Sequence, residues 1–307
     1  MFDTGTLDRT IALHGPTARV VIAAFDGSSP REVGASMLVW ATGQSGTIGG
    51  GALEYEATLR ARAMLATGGF RLDREALGPG LGQCCGGAVT LLTEVYAQAP
   101  QGDVIARATD GRPMPLAVKR LLAECRNQGR PPASHLVQGW MVEPVLTPQR
   151  HLWVWGAGHV GRAVVSVLAP LPGLAVTWID VTPDRYPAAI PDGVRALPVP
   201  DPATAVVLAP RDADHLILTY SHALDLDLCH RLLHHGFASA GLIGSATKWA
   251  RFRSRLAALG HAPASIARIR CPIGDPALGK HPQSIAIGVA HALLHPTPIA
   301  TRQEIAG

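Results

Sequence analysis

A chain of 307 residues is long for a single core and predicts two domains. Its 47% hydrophobic content excludes a disordered chain, and a formal charge of +4 with scattered arginines suits an anionic small ligand but falls short of a nucleic-acid-binding surface. Five cysteines (Cys84, Cys85, Cys125, Cys229 and Cys271) show neither a C-x-x-C pair nor a Cys/His zinc pattern, which points to a reducing compartment. The first residues lack the basic and apolar regions of a signal peptide, and no apolar run reaches bilayer length. The expected setting is therefore the cytoplasm, with no membrane partner.

In the first half, a short helix over 8–14 precedes strands over 19–25 and 36–40, separated by the turn Ser28-Ser29-Pro30-Arg31; a third strand is predicted over 46–48. Gly49-Gly50-Gly51-Ala52-Leu53-Glu54 then feeds a helix over 55–66. A triple glycine at a helix start offers open N–H groups at the positive end of the dipole, a ready anion site. Glu54 complicates that reading. A carboxylate in the first turn either offsets the macrodipole and completes a cap, or serves a ligand as base or acceptor.

The segment 77–87, L-G-P-G-L-G-Q-C-C-G-G, holds five glycines and one proline around two adjacent thiols, and it enters a β-rich run over 88–96 that reads as a buried strand. Glycine lets backbone N–H groups approach a ligand closely, and cysteine supplies a soft thiolate that suits transition metals. Gln83, Cys84, Cys85, Gly86 and Gly87 are therefore candidate cofactor contacts, with Cys84 and Cys85 as candidate metal ligands; the alternative is a tight turn with two buried thiols. The two glycine-rich loops precede consecutive core elements and are expected to share one rim. A helix over 115–127 and short strands near 136–137 and 141–142 complete an α+β domain over 1–147.

The second half, 148–307, opens on a strand over 151–155, then Gly156-Ala157-Gly158-His159-Val160-Gly161, a helix over 162–168, and a strand over 174–179 that ends in Asp180. A lone G-x-G-x-x-G is weak, but the whole unit is the pattern of a dinucleotide-binding βαβ fold. Gly156, Gly158 and Gly161 would permit the tight turn, the pyrophosphate approach and helix–strand packing, and Asp180 would accept from a ribose hydroxyl pair. Alternation continues with a strand over 196–198, a helix in 202–208, a strand over 215–219, a helix over 224–234, a strand over 238–243 and a helix over 248–259. That order predicts a Rossmann-like, doubly wound parallel sheet.

Ser221-His222-Ala223-Leu224-Asp225 and Gly244-Ser245-Ala246-Thr247-Lys248 fall at carboxyl ends of these strands, where such sheets bind ligands. His222, Asp225 and Lys248 are the candidates there, although His222 also fits a turn and Asp225 a helix start. Lys248, Arg251, Arg253 and Arg255 share one helix, mostly as a solvated face with one or two reaching an anion. Cys271, in Cys271-Pro272-Ile273-Gly274, is either an inert buried thiol or a third sulfur near the site. Pro282 opens a last helix whose face repeats Ile285, Val289 and Leu293.

Together, Gly49–Glu54, Gln83–Gly87, the Gly156–Gly161 loop, Gly241-Leu242-Ile243-Gly244-Ser245 through Lys248 and Arg251-Phe252, and Cys271–Gly274 with Lys280-His281-Pro282 resemble the XdhC/CoxI family of molybdoenzyme maturation factors. The resemblance implies a chaperone, not a metabolic enzyme. It would bind the molybdenum cofactor (molybdopterin carrying molybdenum) and keep it while a NifS-like cysteine desulfurase supplies the terminal sulfur. It would then deliver the cofactor to apo-xanthine dehydrogenase, and would act as a homodimer. Gly-rich loops and helix N-termini suit the cofactor's phosphate, and Cys84 or Cys85 would meet the molybdenum. In the family pattern an arginine stands two residues after the acid of the second Rossmann strand, whereas here Arg185 stands five residues after Asp180. Two readings compete: an NAD(P)-dependent oxidoreductase using Gly156, Gly158, Gly161 and Asp180, and a docking scaffold whose Rossmann half is purely structural.

Overall fold

The computed structural model describes residues 1–78, 86–147 and 150–295. The chain divides into two compact units, Met1–Leu146 and Thr147–Gly307. Among the described residues no helix is long and apolar enough to cross a membrane.

The first unit is α+β. It holds the helix α1 (Thr4–His14), the strands β1 (Thr17–Asp26), β2 (Ser36–Trp40) and β3 (Gly43–Gly46), the helix α2 (Gly51–Met64), and the strands β4 (Phe70–Ala76), β5 (Ala88–Tyr96) and β6 (Val104–Ala108). The helix α3 (Leu116–Gln128) and the strands β7 (His135–Val137) and β8 (Trp140–Pro144) complete it. Five strands form a sheet in the order β3-β2-β1-β5-β4, antiparallel throughout. A second sheet runs β6-β8-β7. β1 is buried on both faces, and its alternation divides the core. Val20 and Ile22 pack beneath α2 with Leu53, Ala57 and Ala61, which repeat at helical spacing. Val21 and Ala23 face the other way, with Leu92 of β5 and Met141 of β8.

Arg19 lies on that second face. Its guanidinium makes two hydrogen bonds to Glu143 of β8, at 2.9 and 2.8 Å. Arg107 of β6 donates to Glu143 at 2.6 Å and to both carboxylate oxygens of Glu94 of β5 at 2.8 Å. The Phe2 ring lies under both guanidiniums, 4.1 Å from Arg19 and 5.1 Å from Arg107. Two cations and two anions, interleaved, therefore fasten the two sheets together.

The second unit begins with β9 (Arg150–Trp155), α4 (His159–Leu168), β10 (Leu174–Asp180), β11 (Arg195–Pro198) and β12 (Asp214–Ile217). It continues with α5 (His222–His235), β13 (Ser239–Leu242), α6 (Ala246–Ala258), α7 (Pro263–Ile266), β14 (Ile269–Arg270) and α8 (Pro282–Leu294). The six strands lie parallel in the order β11-β10-β9-β12-β13-β14, the Rossmann order counted from β9. Leu152 and Val154 of β9 face α4 and α8, through Val164, Leu168, Val289 and Leu293. Trp153 and Trp155 face α5 and α6, through Leu228, Leu232, Phe252 and Leu256.

Several boundaries differ from the sequence reading. β3 starts directly after a two-residue turn at Ala41 and Thr42 and ends at Gly46, so the strand expected over 46–48 is displaced. Ile48 instead packs beneath α2. The helix expected in 202–208 is a 3-10 helix, Pro202–Leu208, capped by the Asp201 side chain. β4, β6, β14 and α7 were not expected.

Burial by itself raises the Glu143 carboxyl, but Arg19 and Arg107 outweigh it and hold the group below the ordinary glutamate value. A depressed carboxylate contributes stability that is present above the unfolded-state value and lost as pH falls through the folded one. Urea unfolding of Glu143→Ala is expected to show a loss of about 3–5 kcal/mol, since two guanidiniums lose their buried partner. The acid-side decline in stability below about pH 4 is expected to be shallower in Glu143→Gln than in the parent protein.

Candidate functional site

In the first unit, the Gly49–Glu54 loop and the described entrance to β5 stand at one end of the five-stranded sheet. β1 ends opposite the start of β5, with Asp26 paired to Ala88, and β2 starts opposite the end of β3, with Met37 paired to Gly46. The connection between β1 and β2 touches both loops. A Cβ on Gly87 would run into the carbonyl oxygens of Asp26 and Ser28, and one on Gly49 would run into the Pro30 ring. Among the described residues, nothing lies within 4 Å of where a Cβ on Gly86 would stand. Gln83, Cys84 and Cys85 lie outside the described residues.

Glu54 closes the other turn. Its carboxylate accepts hydrogen bonds from the Thr47 hydroxyl at 2.5 Å, the N–H groups of Ile48 and Gly50 at 3.0 and 3.1 Å, and the Gln44 amide at 3.2 Å. Partial burial works against the charge, but these four donors hold the carboxyl below its usual range. The carboxylate braces the turn before α2, and of the triple-glycine donors expected to face a ligand it takes the Gly50 N–H, while the Gly49 N–H goes to the Thr47 hydroxyl at 3.0 Å.

In the second unit, the loop between β9 and α4 sits where the strand order reverses, the usual ligand crevice of such sheets. Its three glycines differ in surroundings. Gly156 has φ +121° and packs on the Leu218 carbonyl beyond β12, while a Cβ on Gly161 would meet the Gly156 carbonyl. Gly158, the N-cap of α4, has nothing among the described residues within 4 Å of where its Cβ would be. The first and third glycines are packing requirements, and the second leaves room for a ligand.

Asp180 turns inward. It is 3% exposed, and its carboxylate accepts the Ala157 N–H at 2.5 Å and its neighbour Val181 N–H at 2.7 Å. Arg185 pairs with it at 3.4 Å, and the same guanidinium lies 5.1 Å from the Tyr220 ring. The acid expected to meet a ribose thus holds the glycine loop in shape. Arg185, five residues along, returns to the acid through the short 3-10 turn Pro183–Arg185.

Beyond β12 and β13, His222, Asp225 and Lys248 come together. Asp225 is 1% exposed; one carboxylate oxygen receives the Thr219 N–H at 3.1 Å and hydroxyl at 2.7 Å. The other receives the Lys248 ammonium at 2.5 Å, which also donates to the Ile243 carbonyl at 3.1 Å. A cavity of about 220 Å³ opens beside this pair, lined by His222, Ser245, Thr247, Lys248, Arg251 and Arg255. Ser245 caps α6, with its side chain accepting the Lys248 N–H. Arg253 lines a different groove, with Trp249 and Ala257. Helical spacing alone separates Lys248, Arg251 and Arg255 from Arg253, so that pattern was available in the sequence. Thr219 was placed in the strand and not at the site; β12 ends at Ile217 and frees it.

Cys271 joins the edge of this cluster, 3.8 Å from the Gly244 carbonyl, and its peptide bond to Pro272 is cis. Burial pushes its thiol up to about 11, so it is protonated at neutral pH and a poor metal ligand as it stands.

This geometry makes the three glycines separable. Gly158→Ala is expected to change unfolding stability by less than about 0.5 kcal/mol, whereas Gly161→Ala, which drives a methyl into the Gly156 carbonyl, is expected to cost about 1–3 kcal/mol. Equal losses at the two positions in chemical denaturation would mean that Gly158 is packed as tightly as Gly161.

Comparison with known proteins adds the family. A model described as the XdhC Rossmann domain matches residues 152–292, and one described as the XdhC and CoxI family matches residues 11–75. Among solved structures, the crystal structure of a xanthine dehydrogenase from Bacillus halodurans is similar, with 19% identity, coverage of 100% of this chain and 98% of that one, and a TM-score of 0.68. That likeness is one of fold. A myo-inositol dehydrogenase from Corynebacterium glutamicum overlaps more narrowly, at 17% identity over 47% of this chain and 41% of that one, with a TM-score of 0.31. No curated protein matches the chain. With one family model in each half, and the motifs they cover folded as described, the chain belongs to the XdhC and CoxI family.

Proposed function

We propose that this protein is an accessory factor that binds the molybdenum cofactor, protects it while a cysteine desulfurase adds the terminal sulfur, and hands it to an apo-xanthine dehydrogenase. The observation that carries this reading is the basic cavity beside Asp225 and Lys248. Lys248, Arg251, Arg255 and His222 converge there, next to the capped N-terminus of α6, with no acidic side chain among the described lining residues. Such a set recognises a phosphate monoester of the kind molybdopterin carries.

The residues fit the group in three respects. Arg251 and Arg255 would hold the phosphate in charge-assisted hydrogen bonds. Lys248 would add charge from a fixed position, because Asp225 and Ile243 already orient its ammonium. Gly158 would leave space for the body of the ligand to approach the loop. Bound, the cofactor supplies a molybdenum able to accept and pass on sulfur. Cys84 and Cys85 remain the chain's candidate thiolates toward it. The partners in this reading are the desulfurase, the apo-dehydrogenase and a second copy of the chain.

The glycine loop also suits a pyrophosphate, which is the basis of the NAD(P)-dependent alternative. Asp180 weighs against it, because both of its oxygens already serve the chain's own groups.

Anaerobic titration of the apo-protein with molybdenum cofactor, with bound pterin quantified after gel filtration by oxidation to its fluorescent derivative, tests the reading. One pterin per chain is expected. Arg251→Gln/Arg255→Gln is expected to weaken retention by about 10- to 100-fold, the worth of one or two charge-assisted bonds. NADH run in parallel distinguishes the alternative: saturable NADH binding with no pterin retained would overturn the proposal.

A further inference from the structure

The far end of α5 carries a cluster that the cofactor reading does not use. His230 and His234 stand one turn apart on one face of the helix. His261 joins them from the connection between α6 and α7. Gly260, at φ +90°, turns the chain there, and the His261 N–H donates to the Leu256 carbonyl at 3.1 Å. The three rings face one another, with centroids 4.8, 4.9 and 4.6 Å apart around the triangle. One nitrogen from each ring lies within 4.8 Å of the other two, and His230 Nδ1 is 2.8 Å from His261 Nε2.

We infer that His230, His234 and His261 form a binding site for one divalent transition metal of the zinc class. A neutral imidazole has one donor nitrogen and one acceptor nitrogen. One short contact satisfies two rings as a hydrogen-bonded pair and leaves the third nitrogen of the cluster outside it. A cation accepts all three lone pairs at once. Tetrahedral zinc at the usual Zn–N length sets ligand nitrogens about 3.3 Å apart, so the short pair must open and the widest separation close by rotamer-scale movements. Imidazole is a ligand that zinc, nickel and copper share, and three protein ligands leave a fourth position for water or an outside group. The site has room for it. A cavity of about 450 Å³ borders His230 and His234, with His235 and the ion pair of Asp227 and Arg231 also on its wall.

The place of the cluster defines its role. His234 is twelve residues beyond His222 on the same helix, about 18 Å along the axis, so the metal lies at the opposite end of α5 from the basic cavity. It would tie α5 to the segment that follows α6. Those two helices carry His222, Lys248, Arg251 and Arg255, so the ion is a clamp on the framework of the crevice and not a reaction centre.

Equilibrium dialysis of EDTA-stripped, tag-free protein against Zn²⁺ in the presence of a competing chelator tests this, with Co²⁺ absorption as a measure of coordination geometry. The parent protein is expected to bind one zinc per chain at submicromolar free metal, to give an intense tetrahedral cobalt spectrum, and to melt at a higher temperature with zinc than without. His234→Ala, at an exposed position, and His261→Asn are each expected to weaken binding at least tenfold and to abolish the zinc-induced melting shift. His291→Ala/His295→Ala, which removes a separate histidine pair at the end of α8, is expected to change neither. Zinc binding that is equal in the His234 and His261 variants and the parent would overturn the inference, as would no stoichiometric binding at micromolar zinc.

Discussion

The contact between Asp225 and Lys248 fixes the carboxyl end of the sheet in the second unit. It joins the loops after two neighbouring strands, because Asp225 also receives Thr219 beyond β12 while Lys248 also donates to Ile243 beyond β13. Both charges sit in protein with little access to water, where an unpartnered one would be costly. The loop after β12 in turn supplies the Leu218 carbonyl against which Gly156 packs. One ion pair therefore sets the positions of the β12 and β13 loops and, through Leu218, of the glycine turn after β9.

The acids of the molecule share a habit. Glu54, Asp180 and Asp225 all stand in motifs where an acid might be expected to face a ligand, and each turns its carboxylate toward the chain's own N–H, hydroxyl or ammonium groups. The cations divide differently. Lys248 is held by Asp225 yet still borders a cavity, and Arg251 and Arg255 line that cavity from the exposed face of α6. With negative charge turned inward and positive charge left at the rim, the crevice favours an anion on electrostatic grounds alone.

Much of this was legible in the sequence. The run Leu152-Trp153-Val154-Trp155 predicts a strand, which the fold buries on both faces, and the glycine spacing after it places the α4 turn. β4 was hidden because Arg71, Asp73, Arg74 and Glu75 make it an edge strand with little apolar signal. The 202–208 segment, bounded by Pro202 and Pro210, is too short to propagate an α-helix and settles as a 3-10 turn. At the site, residue types were readable but orientations were not. Whether Asp180 meets a ligand or Ala157, and whether Lys248 is free or paired, depends on partners 23 residues away in each case. Spacing within a motif carries no information about such pairings.

The connection between β1 and β2 has a mechanical meaning. Ser28 abuts Gly87 and Pro30 abuts Gly49, so a single short span is wedged between the two glycine turns of the first unit. With backbone on one side and a proline ring on the other, neither contact can yield by swinging a side chain aside. The span acts as a connecting rod: displacement of either turn is passed to the other. The start of α2 and the entrance to β5 therefore behave as one adjustable part, and a change in the length of this span would alter both together.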